Sequence, residues 1–355
     1  MMRAVHELVR GTISIAAGAM LAGCVVAPID TVVPRTVVDA PDLTSVTIGG
    51  VKLHARTFGD PESPPVVVVH GGPGGDSRAL LPLRALADRY FVVFYDQRGS
   101  GLSQRVTDGE LTLDRFYADL DGVVDHFGRG RKVRVVGHSW GAMLASGYLG
   151  RHPEKIAQIV LAEPGFLTRE TAKIVMAATH DMRPPMSFEV IRIGASAWLQ
   201  SLDVVGPDDD ARRDFLALAL MASKFEGHPM EGYYCGRDLG TARMEASRFG
   251  ARVAPALFAA ARAKDGSWDV DFVRGVERFP EKVLFLVGSC NVVLGEALQR
   301  QHMKSFRRAE LVVIPGAGHT MFGEKPAASI AAVREYFASE AGKERQEDEV
   351  PAPRP

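Results

Sequence analysis

Val133-Arg134-Val135-Val136-Gly137-His138-Ser139-Trp140-Gly141-Ala142 decides the reading of this chain. An apolar, β-branched run ends on Gly-x-Ser-x-Gly, and an Ala- and Leu-rich stretch from Ala142 to Leu149 follows. A strand that turns directly into a helix needs glycine on both sides of the serine, because any Cβ there would collide across the turn. Such a turn lifts the serine Oγ out of the sheet and presents it as a nucleophile. Gly-x-Ser-x-Gly alone is a weak pattern, and the strand before it and the helix after it give it meaning.

Working outward, other apolar runs read as buried strands: Val66–Val69, Phe91–Tyr95, Ile156–Leu161, Val283–Val287 and Leu311–Ile314. Continuous apolar strands alternating with helical stretches predict a mostly parallel α/β sheet covered on both faces. Val46, Ile48, Val51 and Leu53 bracket Gly49-Gly50 and predict an antiparallel hairpin at one edge. Between Thr168 and Gly275 strands cease and the spacing turns helical, which predicts an inserted cap over the carboxyl edge of the sheet. The expected organisation is a leader over 1–23, a tether over 24–43, core over 44–167, cap over 168–275, core again over 276–341 and a charged, Pro-rich tail over 342–355.

Two more segments carry chemistry. His70-Gly71-Gly72-Pro73-Gly74-Gly75 follows a strand and exposes backbone N–H groups, as an oxyanion hole requires. Gly72 and Trp140 are the expected donors, while His70 and His138 read as structural. No Gly-Lys-Ser/Thr follows, which excludes a phosphate loop. His319, after the strand Leu311–Ile314 and Pro315-Gly316-Ala317-Gly318, is the expected general base.

Three motifs in order resemble the proline iminopeptidase branch of the α/β-hydrolases. They are His70–Gly75, Asp96-Gln97-Arg98-Gly99-Ser100-Gly101-Leu102-Ser103, and the Gly-x-Ser-Trp-Gly turn. The resemblance runs from about Thr44 to Phe337 and fades in the cap. It implies an α/β-hydrolase fold, a Ser/Asp/His triad and release of N-terminal residues, often proline, from small peptides. Glu324-Lys325-Pro326 also resembles the family. Asp96 and Arg98 are expected to brace the glycine loop rather than react.

The chain departs from that pattern at the acid. The family's Asp position falls on Asn291 in Gly288-Ser289-Cys290-Asn291, and no Asp or Glu lies between Lys282 and Gly295. An amide orients an imidazole but does not neutralise an imidazolium. Glu163, ending Ile159-Val160-Leu161-Ala162-Glu163, is the expected replacement, as in relatives that take their acid after the sixth strand. Asn291 as a weaker orienter and Glu296 remain as alternatives. For the substrate, Glu226 and Glu231 are candidates to bind a free amine. Trp198, Phe215, Phe225 and Trp268 are candidates to line an apolar pocket.

Arg3 and Arg10 precede an uncharged run, Gly11–Gly23, too short to span a bilayer. It ends Leu21-Ala22-Gly23-Cys24, which resembles the lipobox of bacterial lipoproteins. That resemblance implies a lipidated Cys24, and Val25 after it implies the outer membrane of a cell envelope. Cys235 and Cys290 are expected as unlinked thiols. The formal net charge of -1 gives no reason to expect nucleic acid. A small peptide or ester is the expected partner, with no metal or organic cofactor. The expected function is a serine hydrolase acting by acyl transfer, foremost a proline iminopeptidase-like aminopeptidase on small peptides. The alternatives are a carboxylesterase or lactonase of the same fold and, from another class, an inactive ligand- or partner-binding lipoprotein.

Overall fold

A computed structural model describes residues 32–180, 187–225, 227, 228, 230–238, 247–262 and 269–347. Eight strands form one sheet: β1 (Ser45–Ile48), β2 (Val51–Phe58), β3 (Pro65–Val69), β4 (Phe91–Tyr95), β5 (Val133–His138), β6 (Ile156–Ala162), β7 (Val283–Gly288) and β8 (Ala309–Ile314). Their order is β1-β2-β4-β3-β5-β6-β7-β8. The β1–β2 and β2–β4 pairings are antiparallel and the rest parallel. Gly49 and Gly50 make the β1–β2 turn with φ of 55° and 81°, which only glycine adopts without strain.

Alternation along each strand sends neighbouring side chains into two separate cores. Val67, Val69, Val135, Ile159 and Phe285 face one, and Val66, Val68, Val136, Val160 and Leu284 face the other. Helices α1 (Leu113–Gly128) and α2 (Trp140–Arg151) pack on the first face, and a long C-terminal helix from Pro326 closes the second. Both faces are therefore dry, which is why the parallel strands read as unbroken apolar runs.

The insertion between β6 and β7 carries α3 (Arg169–His180), α4 (Phe188–Gln200), α5 (Ala211–Ala222) and α6 (Val253–Ala260). Its two ends meet at a neck, where Phe272 N–H donates to Leu167 O at 2.9 Å and Thr168 bridges Asp271. Buried charge ties it down further. Arg248 pairs with Asp208 at 2.6 Å and with Asp214 at 2.7 Å, and Arg105 from the core reaches the same Asp214 at 2.9 Å. Gly250 N–H donates to Gly74 O at 2.7 Å, joining the cap to the glycine loop.

The cysteines correct the sequence reading. Cys235 and Cys290 form a disulfide, with Cα atoms 4.7 Å apart. The chain folds back so that the cap loop 230–238 lies on the loop after β7, and Val292 N–H donates to Gly232 O at 2.9 Å beside the bridge. Fifty-five residues of separation hid a proximity that only the fold creates.

Candidate active site

Ser139 sits between β5 and α2 with φ 56° and ψ −121°, a conformation that non-glycine residues rarely hold. Its surroundings over-determine it. Ser139 N–H donates to Ala162 O at 2.9 Å. A Cβ on Gly141 would strike Val69 O and His70 O, and one on Gly137 would lie 2.6 Å from Gly141 O. The elbow is thus built against the end of β3 by the absence of two side chains.

His319 follows β8 on a loop held at several points. Its N–H donates to Tyr233 O of the cap at 2.8 Å, and its carbonyl accepts from His138 Nε2 at 2.7 Å. Glu324 accepts from Gly318 N–H at 2.8 Å and from the Thr320 hydroxyl at 2.7 Å, tightening the same loop. The His138 nitrogen that faces a carbonyl must carry its proton. Burial and the neighbouring His319 push its pKa down to about 3, so it stays a neutral donor.

Glu163 lies 2.6 Å from His319 Nδ1 through Oε2. It follows β6 directly, with φ 44°, and its N–H donates to Leu286 O at 3.0 Å. Two further donors converge on the fully buried carboxylate: Gly288 N–H on Oε1 at 2.7 Å and Asn291 Nδ2 on Oε2 at 2.7 Å. Asn291 Oδ1 in turn accepts from Val293 and Leu294 N–H at 3.0 and 2.8 Å, which fixes the way its amide points. Asn291 therefore contacts the Glu163 carboxylate rather than the imidazole. Glu296 pairs with Arg300 at 2.6 Å on the surface and makes no contact with His319.

Burial is the main force on both partners' protonation. It raises Glu163 to about 8, against the pull of Gly288 and Asn291, and lowers His319 to about 4. When Glu163 is ionised it accepts from His319 Nδ1, and the Nε2 lone pair is left as the acceptor the ring offers elsewhere. Such a ring takes a proton from a hydroxyl, and the adjacent carboxylate stabilises the cation that results.

Gly72 and Trp140 line the same 340 Å³ cavity as Ser139 and His319. Trp140 opens α2, where a backbone N–H has no partner within the helix. The glycine loop and the elbow are locked together through Gln97. Its N–H donates to His70 Nε2 at 2.9 Å, its Nε2 donates to His70 O at 2.7 Å, and its Oε1 accepts from Trp140 Nε1 at 2.8 Å. Asp96 accepts from Ser77 and Leu102 N–H at 2.9 Å each. Arg98 pairs in bidentate fashion with Asp119 of α1 at 2.6 Å. Both side chains shape the loops beside the cavity and neither lines it.

The cap candidates fall elsewhere. Glu231 Oε1 accepts from Gly227 and His228 N–H at 2.8 and 3.3 Å and does not line the cavity, which corrects its expected place against a substrate amine. Glu226 and Trp268 lie outside the described residues, as does Cys24. Trp198 is exposed, Phe215 lines a neighbouring cavity, and Phe225 stacks on His228. The wall instead takes Met143, Phe166, Met176, Leu218, Met221 and Phe258. Among the described lining residues Asp76 is the one carboxylate. It already accepts backbone N–H groups of Arg78, Ser247 and Arg248, and burial beside Asp96 raises it to about 7.

A family model described as alpha/beta hydrolase fold matches residues 64–203. A proline iminopeptidase from Heyndrickxia coagulans is 40% identical over 101 residues, 28% of this chain and 35% of that protein. A cis-3-alkyl-4-alkyloxetan-2-one decarboxylase from Shewanella oneidensis is 30% identical over 159 residues, 44% of this chain and 49% of that protein. The chain thus spans half or less of the length of these relatives. Among solved structures, a proline iminopeptidase-related protein from Thermus thermophilus superposes with a TM-score of 0.56 at 22% identity, covering 83% of this chain and 96% of its own. At that identity the likeness speaks for the fold alone, and it agrees with the strand order and the elbow. The chain has the α/β-hydrolase fold, and over part of its length it is similar to proline iminopeptidases.

Proposed function

We propose that this protein is a serine hydrolase that cleaves carboxylic esters with apolar acyl groups by acyl transfer. The observation that carries the proposal is the 2.6 Å contact of Glu163 with His319 Nδ1, in a cavity shared with the strained Ser139. Ser139 Oγ attacks the carbonyl as His319 Nε2 takes its proton, and the alkoxide leaving group departs with that proton. Gly72 and Trp140 N–H groups hold the developing oxyanion, and Glu163 stabilises the imidazolium. Water, deprotonated by His319, then releases the acid and restores Ser139.

The apolar wall supports an acyl or alkyl group rather than a charged amine, since Asp76 is already committed to backbone amides. An aminopeptidase reading has one specific support, the 40% identity to a proline iminopeptidase over 101 residues. The two separate on p-nitrophenyl butyrate and proline β-naphthylamide, with Ser139→Ala as blank. Ester turnover lost in the variant supports the proposal, while amide turnover as its main activity overturns the substrate class. A folded chain that a fluorophosphonate fails to label is no serine hydrolase.

For the N-terminus, lipid attachment at Cys24 is proposed on the sequence Leu21-Ala22-Gly23-Cys24, with the outer membrane as location. Mass spectrometry of the N-terminal peptide from membranes tests it.

A further inference from the structure

Helix α4 is apolar on two opposite faces. Ile193 and Ala197 point inward, while Phe188, Ile191, Trp198 and Leu199 are exposed and fall within an arc of about 100° at 100° per residue. The turn after the helix extends that face with Leu202 and with Val205, which is 96% exposed; Phe188 is 78% exposed. Scattered surface hydrophobics are ordinary, but six large ones on one helix and the turn beyond it form a patch that water does not favour.

The N-terminal chain identifies what covers it. The first described residues run along this helix: Val33 packs on Ala197, Phe215 and Ala219, and Val32, Val33 and Pro34 share a cavity wall with Arg192 and Ile193. Arg248 Nη1 donates to Pro34 O at 3.2 Å and pins the segment there. Cys24 stands eight residues before Val32. Eight residues reach at most about 28 Å when fully extended. A lipid on Cys24 therefore holds Val32, beside α4, within that distance of a bilayer surface.

We infer that the outward face of α4 and the following turn rests on the bilayer in which the N-terminus is anchored. Tryptophan at such an edge suits the interface, where its ring meets acyl chains and its N–H meets water. The inference rests on the lipidation proposed for Cys24, and it gives the ester substrate a source. A 670 Å³ cavity lies beneath α4 and α5, and Leu218, Ala222 and Phe249 line both it and the Ser139 cavity. A docked α4 sets lipid on the outer side of the helix whose inner side walls that neighbouring cavity.

Trp198 reports on the contact. The full chain, purified from membranes, is placed in phosphatidylethanolamine–phosphatidylglycerol vesicles with and without brominated acyl chains. Bromine is expected to quench Trp198 emission, identified as the part lost in Trp198→Phe, and Phe188→Asp with Val205→Asp is expected to abolish that quenching. Circular dichroism confirms that the double variant is folded, and the single variants replace it if it is not. An acylated Cys24 with Trp198 unquenched overturns the docking and leaves the anchor standing. An unmodified Cys24 with Trp198 still quenched by added vesicles supports the docking and removes the anchor. Loss of both overturns both, and a folded Asp variant that quenches like wild type overturns the assignment to this face.

Discussion

Asn291 donates its side-chain amide to Glu163 across 2.7 Å, on the same oxygen that meets His319 Nδ1. The position where the resemblance expects an acid instead donates to the carboxylate that contacts the imidazole. Removing the carboxylate and removing its donor therefore have different consequences. Glu163→Gln is expected to lower kcat on p-nitrophenyl butyrate by about four orders of magnitude, as loss of a triad acid does. Asn291→Ala, which removes one hydrogen bond to a charged group, is expected to cost about 10- to 100-fold. Equal losses in the two variants would contradict this division of roles.

The pH profile follows from the same contact. The reactive pair has Glu163 ionised and His319 neutral, so activity falls as acid protonates the pair, with a midpoint that belongs to both groups. Burial raises Glu163 to about 8 while Asn291 and Gly288 pull it down. Taking away the Asn291 donor removes a term that favours the carboxylate, so the acidic limb of kcat/KM moves to higher pH. A limb that stays put or moves to lower pH in Asn291→Ala would refute the argument.

The elbow tolerates no Cβ at its glycines. Gly141→Ala would force a methyl against two backbone oxygens, Val69 O and His70 O, neither of which belongs to a flexible side chain. A loss of at least about 1–3 kcal/mol is expected from overpacking, read from the urea midpoint. Gly109→Ala, where no atom lies within 4 Å, is the matched control and is expected to unfold like wild type.

Arg248 is a buried hub for two carboxylates of the cap. Arg248→Met leaves Asp208 without its 2.6 Å partner and Asp214 with Arg105 as its remaining ion pair beside the Ala251 N–H, and is expected to cost about 3–5 kcal/mol. The measurement is chemical unfolding, and a cost under about 1 kcal/mol would mean the network holds little of the cap in place.

The Cys235–Cys290 bridge spans 55 residues. Chain entropy alone gives a closed loop of that length about 4 kcal/mol. Cys235→Ala is expected to lower stability by that order, with a second effect on turnover because the same cap loop supplies Tyr233 O to His319 N–H. Full stability and turnover in the variant would make the bridge incidental.

The strands and the elbow were legible because each leaves a local mark: β-branched runs, and Gly two residues either side of Ser139. The contact of Glu163 with His319 was legible by subtraction, since the position the resemblance gives to an acid holds Asn291. The donor role of Asn291 was not, because an amide that fails as an acid looks in sequence like a loss. Glu231 misled because a carboxylate that caps its own loop reads the same as one aimed at a substrate. The disulfide depended on a distance, which no count of cysteines contains. In the cap, helix spacing revealed the elements but not which of the two apolar faces of α4 turns inward.

The insertion is stitched to the core at its neck, through Arg105 and Asp214, between Gly250 and Gly74, and through the disulfide. Seen as heritable architecture, those seams divide the sequence into two kinds of territory. Residues on them are hard to change, because each substitution strands a partner on the other side. The spans between them, α4 above all, carry no such obligation, whereas α5 holds Asp214 and shares it. Substitutions on the outward face of α4 therefore leave both the seams and the elbow beneath them as they are.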